Sequence, residues 1–124
     1  MDVLGQMVAA VKPGGDVLDL QVIRPNPVVE VDGRIVCEID GEPLFFSADA
    51  ATVAVDELVR SGALIDEAID DHDVRERYTD GADLIATYAT KRRRLPRDKL
   101  PALRELARPC AVRERCRLRR LRVH

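Results

Sequence analysis

With 124 residues, 46% hydrophobic and 34% charged, the chain reads as a single domain, residues 1 to 124, able to bury roughly 65% of its unfolded surface. This balance excludes a disordered tail, and no apolar run approaches the ~20 residues that a bilayer span needs, so no membrane partner is expected. The formal charge of −2 conceals a split: residues 1 to 90 hold 6 Lys and Arg against 19 Asp and Glu, whereas residues 91 to 124 hold 14 against 3.

Val3, Leu4, Met7, Val8 and Val11 recur at helical spacing, and Pro13-Gly14-Gly15 ends the amphipathic helix they predict. Residues 17 to 23, VLDLQVI, are aliphatic with little polar interruption, as expected of a strand covered on both faces. Pro25 and Pro27 then break the run. Residues 28 to 32 and 34 to 39 flank Gly33, with Asp32 before it, which predicts an inserted β-hairpin closed by Asp40-Gly41. Ser47 or Asp49 can cap a helix whose Ala51, Ala54, Val55, Leu58 and Val59 share one face, and Gly62 is placed to stop it.

Residues 64 to 78 form a long strand candidate bounded by the Asp80-Gly81 turn. Leu84, Ile85 and Tyr88 suggest a short helix running into an exposed loop, residues 91 to 96. Asp98 can cap a last helix carrying Leu100, Leu103 and Leu106, with Pro101 tolerated in its first turn. The chain ends on a strand, residues 111 to 123.

In that last strand Val112, Cys116 and Leu118 face one way while Arg113, Arg115, Arg117 and Arg119 face the other. The strand candidate 64 to 78 carries Asp66, Asp70, Asp71, Asp73 and Glu76. If the two pair antiparallel, opposite charges meet across the ladder, and the charge split has an internal explanation.

The order of elements, with the words VAAVKPGGDVLDLQV (residues 8 to 22), DELVRSGALIDEA (56 to 68) and the closing Arg-rich strand, resembles the C-terminal half of class I S-adenosylmethionine-dependent methyltransferases. The resemblance covers nearly the whole chain except the hairpin around Gly33. It implies that residues 17 to 23 are strand five, 66 to 78 strand six and 112 to 123 strand seven, with the last two antiparallel. In that family a Gly-rich loop after the first strand and an acidic residue hold the cofactor, the same physics as a dinucleotide site. Those elements would precede residue 1. Gly14-Gly15 leads from a helix into a strand, the reverse of the phosphate-cradling order. The loop after strand five, residues 24 to 27, often supplies substrate contacts in the family, but nothing in it identifies a catalytic base.

Other residue groups read more plainly. Asp70-Asp71-His72-Asp73 looks like a metal cluster, yet on a strand Asp71 and Asp73 face away from Asp70 and His72, so cross-strand partners for arginines are the preferred reading. The Asp-Gly words at 32 and 40 miss the Ca²⁺-loop spacing and read as turns. Lys91-Arg92-Arg93-Arg94 can touch phosphate, though a solvated loop facing the acidic body is preferred. His72 and His124 are the only histidines, and no nucleophile arrangement is suggested. Cys37, Cys110 and Cys116 form no Cys-x-x-Cys pair and are odd in number, so they read as reduced packing residues. With Phe45, Phe46, Tyr78 and Tyr88 as the whole aromatic set, a stacking platform for single-stranded nucleic acid is lacking. Asp2 and Gln6, with no basic lead and no small-residue cleavage site, argue against a secretory signal and for a cytoplasmic protein.

The expectation is an α/β, or α+β, domain: a partial Rossmann-like methyltransferase half with a small mixed sheet. Its strand five is parallel to strand six, the Arg-rich strand lies antiparallel between them, and a hairpin projects from it. The functional expectation is a methyltransferase-like protein lacking the cofactor-binding half, non-catalytic alone and acting as an oligomerising or partner-binding remnant. No catalytic, cofactor-binding or metal residue is assigned, and S-adenosylmethionine enters only if a partner supplies the missing half. The alternatives are a nucleic-acid-binding module using the basic C-terminal segment, and an intact enzyme, which would require a cofactor site that the sequence does not display. The open edge of strand 17 to 23 is expected to need cover from a second copy or another chain.

Overall fold

The computed structural model describes residues 10 to 91 and 93 to 124. The helix expected over residues 3 to 11 lies outside them except for its end. There Val11 packs against the apolar cluster formed by Val17, Val55, Leu64, Leu121 and Val123. Strand β1 (Asp16–Val31) leads through a tight turn to β2 (Arg34–Glu38), and helix α1 (Glu42–Arg60) follows. Next come β3 (Leu64–Tyr78), helix α2 (Gly81–Tyr88), a 3-10 turn (Arg97–Lys99), helix α3 (Leu100–Glu105) and β4 (Cys110–Val123).

The result is a mixed α and β domain with an open four-stranded sheet in the order β2-β1-β4-β3. All its ladders are antiparallel, so the expected mixed sheet is corrected to an antiparallel one. The expected relation of the three long strands nevertheless holds. β1 and β3 run the same way because each pairs antiparallel with the Arg-rich β4 between them.

The expected break at Pro25 and Pro27 is also corrected. β1 continues through both prolines, because Ile23 faces Arg115 and Val28 faces Arg113, so that residues 24 to 27 stand outside the ladder opposite Glu114 alone. A proline lacks the amide that a ladder needs, and a bulge is where a strand tolerates it. The hairpin therefore does not project. Its first arm is the end of β1, and Val28 pairs with Glu38 of β2 on one side and Arg113 of β4 on the other. Asp32 (φ 51°) and Gly33 (φ 77°) both adopt the left-handed backbone that a two-residue hairpin turn requires.

Helix α1 begins at Glu42, earlier than Ser47 or Asp49, because Asp40-Gly41 both closes the hairpin and opens the helix. The Glu42 amide donates to Asp40 Oδ1 (3.1 Å), and Pro43 falls in the first turn, where its missing N–H costs nothing. At the other end Gly62 sits at φ 86°, and the amides of Gly62 and Ala63 close back on the carbonyls of Val59 and Leu58. Asp80 caps α2 by accepting from the Asp83 amide at 2.8 Å. Asp98, expected to cap the last helix, lies instead inside the 3-10 turn, and α3 starts on Leu100 with Pro101 in its first turn.

Two apolar clusters hold the sheet, on opposite faces and toward opposite ends. Even-numbered β4 residues Cys110 and Val112 join Val29, Tyr78, Leu84 and Leu103 under α2 and α3. Odd-numbered Leu121 and Val123 join Val17, Leu64 and Val55 under α1. The face opposite α1 at this second end carries no cover from the described residues.

Candidate functional site

Along residues 16 to 23, β1 pairs with β4 on one side only, since β2 reaches back no further than Val28. Among the described residues no strand occupies the other side. Every second residue of this stretch therefore points its N–H and C=O to an open edge. Leu18 is 62% exposed and Leu20 59% exposed, both on the face that α1 leaves bare, and half-buried Val22 and Leu118 extend the same apolar strip. Exposed leucines beside an unpaired backbone form a template on which another strand can pair.

The far edge of the sheet is treated differently. β3 carries Asp66, Glu67, Asp70, Asp71, Asp73 and Glu76 with Arg75 and Arg77, so a second strand pairing with it must desolvate charged side chains. β2, with exposed Ile35 and Val36, is only five residues long and is flanked by charged ends. The open stretch of β1 is longer than β2 and less charged than β3.

Arg24 fixes where that edge stops. Its guanidinium reaches Asp49 (3.2 Å) and Glu42 (3.4 Å) on α1 and lies 5.0 Å from the centre of the Phe45 ring. Asn26 Oδ1 accepts from the Gly41 amide at 3.1 Å. The loop that the family resemblance marks for substrate contacts is thus occupied in joining β1 to α1.

The charged face behaves as the alternation predicts. Arg117 makes a two-pronged contact with Asp71 (2.8 and 2.9 Å), and Arg115 reaches Asp73 at 3.3 Å. Buried Arg119 grips Asp66 with both prongs (2.7 Å each) and adds Asp56 of α1 at 2.7 Å, tying the helix to the sheet. These hydrogen bonds hold the carboxyls of Asp66 and Asp71 below their usual range. Asp70 and His72 lie on the opposite face from Asp71 and Asp73, with His72 Nδ1 3.1 Å from Asp70. Among the described residues no group of metal-ligating side chains converges.

The basic loop is largely turned inward. Lys91 Nζ contacts Glu76 at 3.0 Å and lies 4.9 Å from the centre of the Tyr88 ring, while buried Arg93 pairs with Glu114. Glu76 also accepts from the Tyr78 hydroxyl (2.7 Å), which with Lys91 lowers its pKa. Arg94 is exposed, and Arg92 lies outside the described residues. Tyr78 and Tyr88 meet edge to face in the core, so they offer no stacking surface. All three thiols are buried, and burial pushes their pKa values up, which makes them poor nucleophiles.

The glycine turn offers no cradle to a nucleotide-type cofactor. The Gly14 amide donates to the Val123 carbonyl and the Gly15 amide to the Lys12 carbonyl, both at 2.8 Å, so the glycine turn has no free amides for a ligand. The groove lined by Glu30, Arg75, Arg77 and Cys110 measures about 290 Å³, and Glu30 is already held by Arg75 and Arg113. Sequence reasoning found the open edge from the family resemblance and the charge ladder from period-two alternation. It missed the Arg24 clamp, whose partners lie 18 and 25 residues away with no local pattern. No helix of the described residues is long and apolar enough to cross a membrane. Comparison of the chain with protein-family models, with curated proteins and with solved structures finds no match.

Proposed function

We propose that this chain is a methyltransferase-like half-fold that is non-catalytic alone and acts by docking to a partner along the open edge of β1. The observation that carries the reading is the unpaired stretch 16 to 23 beside exposed Leu18 and Leu20. Support comes from the order β1-β4-β3 with β4 antiparallel between two like-directed strands, the arrangement the family resemblance implies for strands five, seven and six. In this reading S-adenosylmethionine enters only where another chain supplies the missing half, and self-association of the half-fold needs no cofactor. The three buried, unpaired thiols fit a reducing, cytoplasmic setting.

The alternative, a nucleic-acid module, draws less support. Lys91 and Arg93 are engaged by Glu76 and Glu114, and most of the closing arginines face the aspartates of β3. The test of the first reading is calorimetric titration of the purified chain with S-adenosylhomocysteine. No saturable heat is expected; saturable binding near one ligand per chain would show a cofactor site within it and overturn the reading.

A further inference from the structure

The open edge has a sequence that complements itself. We infer that the partner is a second copy of this chain, paired antiparallel along β1 about a two-fold axis through Leu20, perpendicular to the sheet. The inference rests on the half-fold reading above and names its partner.

In that frame the residue numbers of facing partners sum to forty. Leu20 meets Leu20, Leu18 meets Val22, and Val17 meets Ile23. Asp19 meets Gln21, a carboxylate facing a carboxamide. Every apolar residue from 17 to 23 faces an apolar one and Asp19 finds a donor, which is how cross-strand pairs stabilise a sheet. Within one chain Gln21 Nε2 already donates to Asp19 Oδ1 at 2.8 Å, so both groups lie on the same face and are placed to exchange partners across the axis.

Neighbouring frames lack this match. A shift one way sets Asp19 against Asp19 and Val17 against Gln21; a shift the other way sets Asp19 against Ile23 and Leu18 against Arg24. Odd sums put the apolar row against the polar row, because side chains alternate between faces. The limits of the edge are compatible with this frame: it runs over residues 16 to 23, from the Gly14-Gly15 turn to the Arg24 clamp, and Leu20 lies beside its midpoint. Leu18, Leu20 and Val22 of the two copies then form one apolar row on the face opposite α1. Seven paired residues a side make a small interface, so association in the micromolar range or weaker is expected.

Light scattering across a dilution series tests this with three proteins: wild type, Gln21→Glu, and Asp19→Lys with Gln21→Glu. The substituted side chains are exposed or half-buried, and circular dichroism checks that each variant folds. The wild type should rise from one chain toward two as concentration increases. Gln21→Glu places two carboxylate pairs across the axis and should weaken association at least tenfold; the double variant makes those pairs Lys-Glu and should restore it. A wild type that stays at one chain up to about 1 mM overturns the second-copy inference while leaving the cofactor titration free to judge the half-fold reading. Association that ignores Gln21→Glu, or is not restored in the double variant, overturns the pairing frame.

Discussion

Gly81→Ala is expected to destabilise the protein by about 3 kcal/mol, because among the described glycines it is the one where an added methyl meets backbone most closely. A Cβ at Gly81 would lie 1.7 Å from the Leu103 carbonyl oxygen and 2.7 Å from its carbon, both backbone atoms of α3. Flexible side chains can yield to such a contact, but here two helices must separate. The Gly81 amide also donates to the Leu106 carbonyl at 2.9 Å, a contact the separation would stretch. Helix propensity pulls the other way by at most ~1 kcal/mol, since alanine is the better helix former. The clash therefore decides the sign. Urea denaturation measures the loss, and a change under ~1 kcal/mol would show that α2 and α3 do not approach so closely.

Arg119→Ala is expected to cost about 2 kcal/mol, read as a fall in Tm of roughly 6–10 °C. The guanidinium is buried and joins Asp66 of β3 to Asp56 of α1, so its loss strands two carboxylates and leaves a gap beside Leu121. Breaking a fully buried pair costs more, but these aspartates are 40% and 47% exposed and can turn to water. The acid limb should change as well. A carboxyl whose folded pKa is depressed contributes stability that is present above its unfolded value near 4 and is lost as pH falls through the folded value. Arg119 depresses Asp66 in this way, so the variant should lose less stability than the wild type between about pH 5 and pH 2. Thermal melts at pH 7 and pH 3 measure both effects. Equal melting at pH 7 would mean that Arg119 does not bind α1 to the sheet.

The parts of the fold that could be read in advance are those whose signal repeats. Arg113 to Arg119 at alternate positions, with the acidic run from Asp66, dictated which strands meet and in which direction, because period two is the geometry of a strand. Gly62 marked a helix end and Asp80-Gly81 a strand end, both for local backbone reasons, whereas the capping of α2 by Asp80 was not read from the sequence. Pro25 and Pro27 misled because a proline forbids ladder pairing at its own amide, whereas the strand on either side remains free to continue. The Glu42 start of α1 was hidden because Asp40-Gly41 serves two elements at once. The edge of β1 was visible in outline as an aliphatic strand with an expected missing neighbour. Its limits depend on Arg24, Glu42 and Asp49, which only the tertiary structure brings together.

The contrast between the two long open edges gives the sharpest test. β3 lines its edge with charged side chains, while residues 16 to 23 of β1 present leucines and an unpaired backbone. Amide hydrogen exchange, followed residue by residue at low and high protein concentration, reads both edges in one measurement. Protection at alternate amides within residues 16 to 23 is expected to rise with concentration, with the outer amides of β3 unchanged. Exchange along residues 16 to 23 that is independent of concentration, or new protection confined to β3, would contradict the claim that the edge of β1 is where this chain docks.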